Sequence, residues 1–456
     1  MKKIIILLIL FPTVLIAQEN YREALDQYMK AEANVNGFTG TILVEKAGKI
    51  IYENAFGFAD REWNIPNTLQ SKFQIGSITK QFTAVAILQL VEEGKISLDD
   101  KLSKYVPGFA KGDSITIHNM LVHNSGLKDY EHDQRFLGYA ESLILTKTPG
   151  LQDSLINFFR NNPYDLPVGF NWSYSNTGYY LLGYIIEKVS GLSFSDYVDK
   201  NMIRKAGLKN TFVNRMDTIA PNRARGYIKS NGKWKNADYM SMEIPYSAGN
   251  IISTTKDLYK WNEALFSHKM IKNSSLKLMV TPHVASPILG NYGYGVFVDE
   301  FFGHPRIGHP GGIYGFVTNL ISFPMDDATV IILSNNQTTP IRLLADALSA
   351  ILFDLPVREA YQPKELKNHS LNLANYAGKY QNSDGTLSVN LTAKGEALYW
   401  DFAPENTYEL KPESVTRFFT DNPYLQFEFE KDGKGNITKA FFVKAGLKYE
   451  LNKKGN

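Results

Sequence analysis

Phe73-Gln74-Ile75-Gly76-Ser77-Ile78-Thr79-Lys80 runs straight into Gln81–Glu93, and this stretch decides the fold. A short extended run ends at Gly76, and a strongly helical run begins at Ser77. Ile78, Phe82, Val85, Leu88, Leu90 and Val91 give that helix a buried stripe, and Gly94 suits its C-terminal stop. Ser77 and Lys80 stand three apart, so a hydroxyl and an amine share one helix face. A serine hydroxyl is a poor nucleophile until a neighbouring base takes its proton. A lysine can take it if burial or nearby positive charge lowers its pKa toward neutrality. Gly76 leaves room for a substrate at the helix N-terminus, where free N–H groups meet developing negative charge. Taken alone, Ser-x-x-Lys describes a helix cap followed by a surface lysine equally well.

Outward from this helix, Thr39–Ala59 reads as a hairpin turning at Ala47-Gly48-Lys49, and residues 18–35 read as a leading helix. Downstream, 179–189 and 341–353 have helical spacing, while 293–298, 306–323 and 328–334 read as strands. A hairpin and helix first, helices in the middle, then strands and a helix, predict one α+β domain. Its sheet draws on both ends of that domain. Residues 357–370 are polar and read as a linker. From Tyr376 short alternating segments with turn signals at Asp384-Gly385 and Asp432-Gly433 predict a small antiparallel β-barrel or sandwich.

Two more clusters carry chemistry. Tyr174-Ser175-Asn176 offers a phenol for proton transfer and an amide that both donates and accepts. Gly308-His309-Pro310-Gly311-Gly312 reads as a strand whose Gly312 N–H, with that of Ser77, would make an oxyanion hole. Pro310 lacks an N–H and fits only an open sheet edge.

The three clusters, in this order, resemble the serine β-lactamase and penicillin-binding protein superfamily. The tyrosine form of the second motif and the histidine form of the third point to the branch of class C β-lactamases, D-amino-acid-specific peptidases and β-lactamase-like carboxylesterases. Leu121-Val122-His123-Asn124-Ser125-Gly126-Leu127, Ser247–Thr254 and Gly293-Tyr294-Gly295 are similar to it too, and the tail resembles the lipocalin-like domain often appended to such hydrolases. The resemblance implies a β-lactamase/transpeptidase-like domain, an antiparallel sheet flanked by helices with a helical subdomain, at 18–356. A linker at 357–370 and a barrel at 371–456 would follow. It implies that Ser77 forms the acyl-enzyme and that Lys80 and Tyr174 share the base and acid roles. Asn176, His309, Gly311 and Gly312 would contact substrate, and the N–H groups of Ser77 and Gly312 would hold the oxyanion. His309 stands where many relatives have lysine, and Pro310 where a hydroxyl residue helps grip a β-lactam carboxylate, so both depart from a true β-lactamase.

The expected activity is hydrolysis of an ester, an amide or a short peptide, D-amino-acid peptides included. The rivals are a true β-lactamase or D-Ala-D-Ala carboxypeptidase, and a non-catalytic penicillin- or ligand-binding protein. No cofactor and no metal are expected. Glu131-His132-Asp133 reads as a solvated loop, no His-Glu-x-x-His spacing occurs, and His123 reads as structural. With no cysteine among 456 residues, disulfides and thiolate chemistry are excluded. Lys2-Lys3, the apolar run Ile4–Ile16 and Ala17 read as a signal peptide over 1–17, giving an exported, periplasmic or extracellular chain with no transmembrane span once it is removed. Formal charge is +3, too small a basic field to attract nucleic acid. The expected partner is a small-molecule or peptide substrate, and the sequence does not give the oligomeric state.

Overall fold

The computed structural model describes residues 11–145, 150–161, 165–215, 218–287, 289–367, 369–403, 406–433 and 435–454. Residues 1–10 of the expected leader lie outside them. From Phe11 the backbone is helical to Ala31. The chain divides into two units, Thr39–Ile341 and a second in which Arg342–Asn456 joins the chain up to Phe38.

The first unit is built on an eight-stranded sheet. Its order is Val284–Ala285, Asn291–Tyr292, Phe297–Phe301, His304–Ile313, Phe316–Phe323, Ala328–Ser334, Gly40–Lys46 and Lys49–Phe56, and every pair is antiparallel. Sequence-distant strands meet in the register Ile42↔Ile332 and Val44↔Val330, so both ends of the unit supply the sheet. Ala-Thr-Val-Ile-Ile-Leu-Ser at 328–334 is buried at every position, as a continuous run covered on both faces must be. The first hairpin turns at Ala47 and Gly48, both with positive φ, the backbone that a right-handed two-residue hairpin requires.

The chain after Gly76 starts as a tight 3₁₀ turn, Gly76–Ile78, and becomes α-helical only at Thr79, continuing to Glu92. A one-sided stripe was expected, but nearly the whole helix is buried. Its polar residues are accordingly bonded. Trp261 Nε1 donates to Gln81 Oε1 at 3.1 Å, Thr83 Oγ1 to the Ser247 carbonyl at 2.6 Å, and Gln89 Nε2 to the Met270 carbonyl at 2.9 Å. Phe82 stacks on Trp261 with ring centroids 3.9 Å apart. Helices Gln134–Leu145, Leu151–Asn161 and Asn176–Ser190 form the helical part, joined by the rings of Tyr130, Phe136, Phe159 and Tyr180.

The tail closes into an eight-stranded antiparallel barrel from Gly378 to Lys453. Closure comes from Tyr380↔Lys453 and Gln381↔Asn452. Trp400, Phe427, Phe429, Phe442, Tyr376 and Tyr380 are buried in one cluster, so aromatic rings fill the interior. The expected boundaries at 356/357 and 370/371 do not coincide with the division into units, and hydrogen bonds within the second unit explain why. Tyr28 Oη donates to the Ala445 carbonyl at 2.9 Å and Tyr21 Oη to Asp354 at 2.8 Å. Among its described residues the stretch 357–370 read as a linker has no helix or strand, but it is tied to the barrel. Val357 bridges to Leu447, Arg358 pairs with Glu428, and Tyr361 Oη donates to Glu413 at 2.7 Å.

Candidate active site

The site lies where the sheet runs short. His304–Ile313 is flanked by two strands as far as Gly308, which pairs with Phe297. Beyond it only Phe316–Phe323 pairs, through His309↔Leu320 to Ile313↔Phe316. Pro310 therefore sits on a locally open edge, as its missing N–H requires. The same opening leaves Gly312 exposed, with empty space where a Cβ would point.

Against this edge packs the turn that carries Ser77. Thr318 Oγ1 donates to the Ile75 carbonyl at 2.8 Å. A Cβ on Gly311 would lie 2.0 Å from the Ile75 oxygen, and one on Gly76 would lie 2.8 Å from the Gly312 nitrogen. Gly76 also has φ +52°, a region side chains rarely adopt. The requirement for glycine at 76 and 311 is thus the close approach of two backbones. It brings Gly312 next to the residue that precedes Ser77.

The expected trio converges. Lys80 Nζ lies 3.1 Å from Ser77 Oγ, and Tyr174 Oη donates to Ser77 Oγ at 2.9 Å. Lys80 is fully buried, whereas Ser77 and Tyr174 are partly exposed. Two further oxygens hold the amine, Asn176 Oδ1 at 2.7 Å and the Ala248 carbonyl at 2.9 Å. Ala248 follows Tyr246, whose φ of +38° is strained for a large side chain. Burial lowers the Lys80 ammonium to about 7, against a smaller opposing pull from Glu131 and Asp129. Burial, with the charges of Glu131 and Asp129, pushes the Tyr174 phenol well above its usual value, and the Ser77 hydrogen bond only partly offsets this.

Asn176 opens the helix Asn176–Ser190, capped by Ser175 Oγ accepting from Gly178 N–H at 3.2 Å. Its amide was expected to hold substrate. Within the protein, Nδ2 donates to the Asp129 carboxylate at 3.1 and 3.2 Å, and Oδ1 accepts from Lys80. His309 was likewise expected to meet substrate, but it is 2% exposed and both ring nitrogens are engaged, by Tyr292 Oη at 3.0 Å and by the Pro310 carbonyl. Burial first, then Lys80, lowers it to about 3, so it is neutral.

Asp129, the Ala248 carbonyl and Tyr292 had no place among the candidates. Asp129 follows the stretch 121–127 singled out for its resemblance, and Ala248 lies inside another such stretch. Neither a carbonyl nor a buried carboxylate partner of an amide has a motif of its own. Of Glu131-His132-Asp133, Asp133 is held by Lys128 and Arg135, and Glu131 is exposed and acts electrostatically on Lys80. Among the described residues no cluster of three metal-ligating side chains occurs, and no helix is long and apolar enough to cross a membrane.

Comparison with known proteins gives the family. The family model described as Beta-lactamase matches residues 23–352, and a domain of unknown function, DUF3471, matches 362–454. Penicillin-binding protein 4* of Bacillus subtilis (strain 168) is 30% identical over 433 residues, 90% of this chain and 94% of that protein. Teichoic acid D-alanine hydrolase of Staphylococcus aureus is 24% identical over 317 residues, 68% of this chain and 72% of that protein. The crystal structure of a D-stereospecific amidohydrolase from Streptomyces sp. superposes with a TM-score of 0.63 at 26% identity, covering 71% of this chain and 97% of the other. The chain therefore belongs to the Beta-lactamase family and is an enzyme of the serine hydrolase superfamily that also holds the penicillin-binding proteins.

Proposed function

We propose that the protein is an exported hydrolase that works through an acyl-enzyme on Ser77. The observation that carries this reading is the chain Tyr174–Ser77–Lys80, with hydrogen-bond distances of 2.9 and 3.1 Å. A neutral amine has two N–H bonds and one lone pair. Lys80 has two oxygen acceptors, Asn176 Oδ1 and the Ala248 carbonyl, which leaves the lone pair for the Ser77 proton. Because the Tyr174 phenol resists ionisation, Lys80 is the base of the first step. Ser77 Oγ bonds to the carbonyl carbon as its proton passes to Nζ. The N–H groups of Ser77 and Gly312 hold the oxyanion. As the bond to the leaving group breaks, Tyr174 gives that group its proton, and the phenolate so formed is balanced by the Lys80 ammonium, whose Nζ lies 4.9 Å from the ring centroid, until the proton of the incoming water restores the phenol. Water then repeats the sequence in reverse and frees Ser77.

The preferred substrate is an aminoacyl ester or amide with a free ammonium group. Glu131 and Asp129 make the surroundings of Lys80 negative, while neutral His309 and Pro310 offer no cation to a substrate carboxylate. Teichoic acid D-alanine hydrolase and the D-stereospecific amidohydrolase, both similar to this chain, favour the D configuration. Export is supported by the leader-like N-terminus and by the cell-wall setting that the name of the teichoic acid relative implies. The test is turnover of D-alanyl 4-nitroanilide, its N-acetylated form, its L-isomer and a chromogenic cephalosporin. Fastest turnover of the free-amine D compound is expected. Faster turnover of the cephalosporin would replace this reading with that of a β-lactamase.

A further inference from the structure

The residues behind Tyr174 form a chain that the acyl-transfer chemistry does not use. His123 holds both neighbours of Tyr174, since its carbonyl accepts from Ser173 N–H at 2.7 Å and its Nδ1 accepts from Ser175 N–H at 3.1 Å. Its ring lies against the Tyr174 ring with centroids 4.3 Å apart. On its other side His123 Nε2 is 3.2 Å from Tyr292 Oη, and Tyr292 Oη is 3.0 Å from His309 Nε2. His309 Nδ1 meets the carbonyl of Pro310, two residues before Gly312. His123, Tyr292 and His309 are at most 2% exposed. His123 has φ +58°, a strained backbone for a side chain of its size.

The two ends of this chain fix every proton in it. Ser175 N–H is a donor, so His123 Nδ1 must be the bare nitrogen and Nε2 must carry hydrogen. The Pro310 carbonyl is an acceptor, so His309 Nδ1 must carry hydrogen and Nε2 must be bare. Tyr292 then accepts from His123 and donates to His309. With neutral rings no other assignment leaves each contact one donor and one acceptor.

We propose that His123 and Tyr292 are positioning residues. With His309 they form a buried hydrogen-bonded chain that sets the loop carrying Tyr174 against the edge strand carrying Gly312. The chain thereby fixes the proton-transfer phenol relative to the oxyanion amide. It rests on the acyl-enzyme reading only for its catalytic consequence, since the proton order is a property of the resting protein.

Two measurements test it. In the unaltered full chain, ¹⁵N–¹H correlation spectra of the imidazoles at neutral pH should show His123 protonated at Nε2 and His309 at Nδ1. The opposite tautomer at either ring, or a charged ring, would overturn the chain. Separately, Tyr292→Phe removes only the central hydroxyl. Labelling of Ser77 by a fluorophosphonate probe should slow about 10–100-fold in the bond-forming step, with half-saturation changed less than about twofold, because displacement of a catalytic group acts on the step and not on binding. Tyr292→Phe combined with His309→Asn should be little worse than the single change, as expected of members of one network. His123→Asn, which keeps an acceptor for Ser175, should label faster than His123→Leu. Labelling of Tyr292→Phe at the unaltered rate, or losses that multiply in the double variant, would contradict the positioning role. Failure of the unaltered protein to label would count against the acyl-enzyme on Ser77, and the tautomers would still decide whether the chain exists.

Discussion

The barrel and the open edge of the large sheet solve opposite problems with the same antiparallel pairing. In the barrel every strand has two neighbours, and the space inside is taken by rings. Trp400 sits 4.8 Å from Phe442 and 5.6 Å from Phe427, ring centroid to ring centroid. At the edge the partner strand stops opposite Gly308, the space is left open, and the groups beneath it are an amine, an amide, a phenol and two imidazoles. A closed apolar interior gains stability from burial. An open edge over buried polar groups gives some of that up and keeps an exposed Gly312 and a buried lysine.

Replacing Lys80 by methionine breaks the comparison most sharply. Acylation of Ser77 is expected to fall about 10²–10⁴-fold, the usual worth of a general base. Stability should respond in the other direction. The folded Lys80 pKa of about 7 lies below its unfolded value of 10.5, so between these the unfolded chain binds more protons and stability rises with pH. The cost of burying the amine is therefore greatest at and below pH 7. Melting of Lys80→Met relative to the unaltered protein should be most favourable at pH 6 and lose that advantage by pH 10. An advantage that grows with pH would contradict the assigned shift.

In the barrel the balance is reversed. Trp400→Ala should cost about 3–5 kcal/mol in chemical denaturation of the full chain, as large-to-small changes in a packed core do. A loss under about 1 kcal/mol would mean that the interior is not filled as described. The pH profile gives a smaller effect. The rate of Ser77 acylation should rise about tenfold per unit up to pH 7 and then level, following the neutral fraction of Lys80. A rate independent of pH between 5 and 7 would remove Lys80 as the base. Smallest is Glu32, buried beside Tyr28 and Tyr424 and raised by that burial to about 7. Its folded value lies above the unfolded 4.5, so its contribution is full below pH 4.5 and is lost as pH rises through 7. Glu32→Gln should flatten the fall in melting temperature between pH 5 and 8, and an unchanged slope would show that Glu32 does not titrate there.

What was legible in the sequence follows from where the information lies. Ser77, Lys80 and Tyr174 meet through their own side chains, and helical spacing put the first two together. Gly308–Gly312 was legible as an edge strand because proline cannot donate. Asn176 and His309 were recognised, but their protein partners were not. Whether an amide or an imidazole faces substrate or protein depends on Asp129, Tyr292 and Pro310, none of which is near both in sequence. The Ala248 carbonyl was hidden because every residue has one. In the tail, Asp384-Gly385 and Asp432-Gly433 marked turns. Ala445-Gly446 turns a hairpin with φ +46° and +87°, yet alanine is no turn marker. Barrel and sandwich remained open alternatives because closure rests on Tyr380↔Lys453, a pairing that no local pattern encodes.

The convergence of Ser77, Lys80 and Tyr174 is tested most directly by mass analysis of the covalent adduct. Brief exposure to a fluorophosphonate probe, followed by digestion, should place one adduct per chain on the peptide containing Ser77, and Ser77→Ala should carry none. An adduct on another serine, or undiminished labelling of Ser77→Ala, would contradict the account.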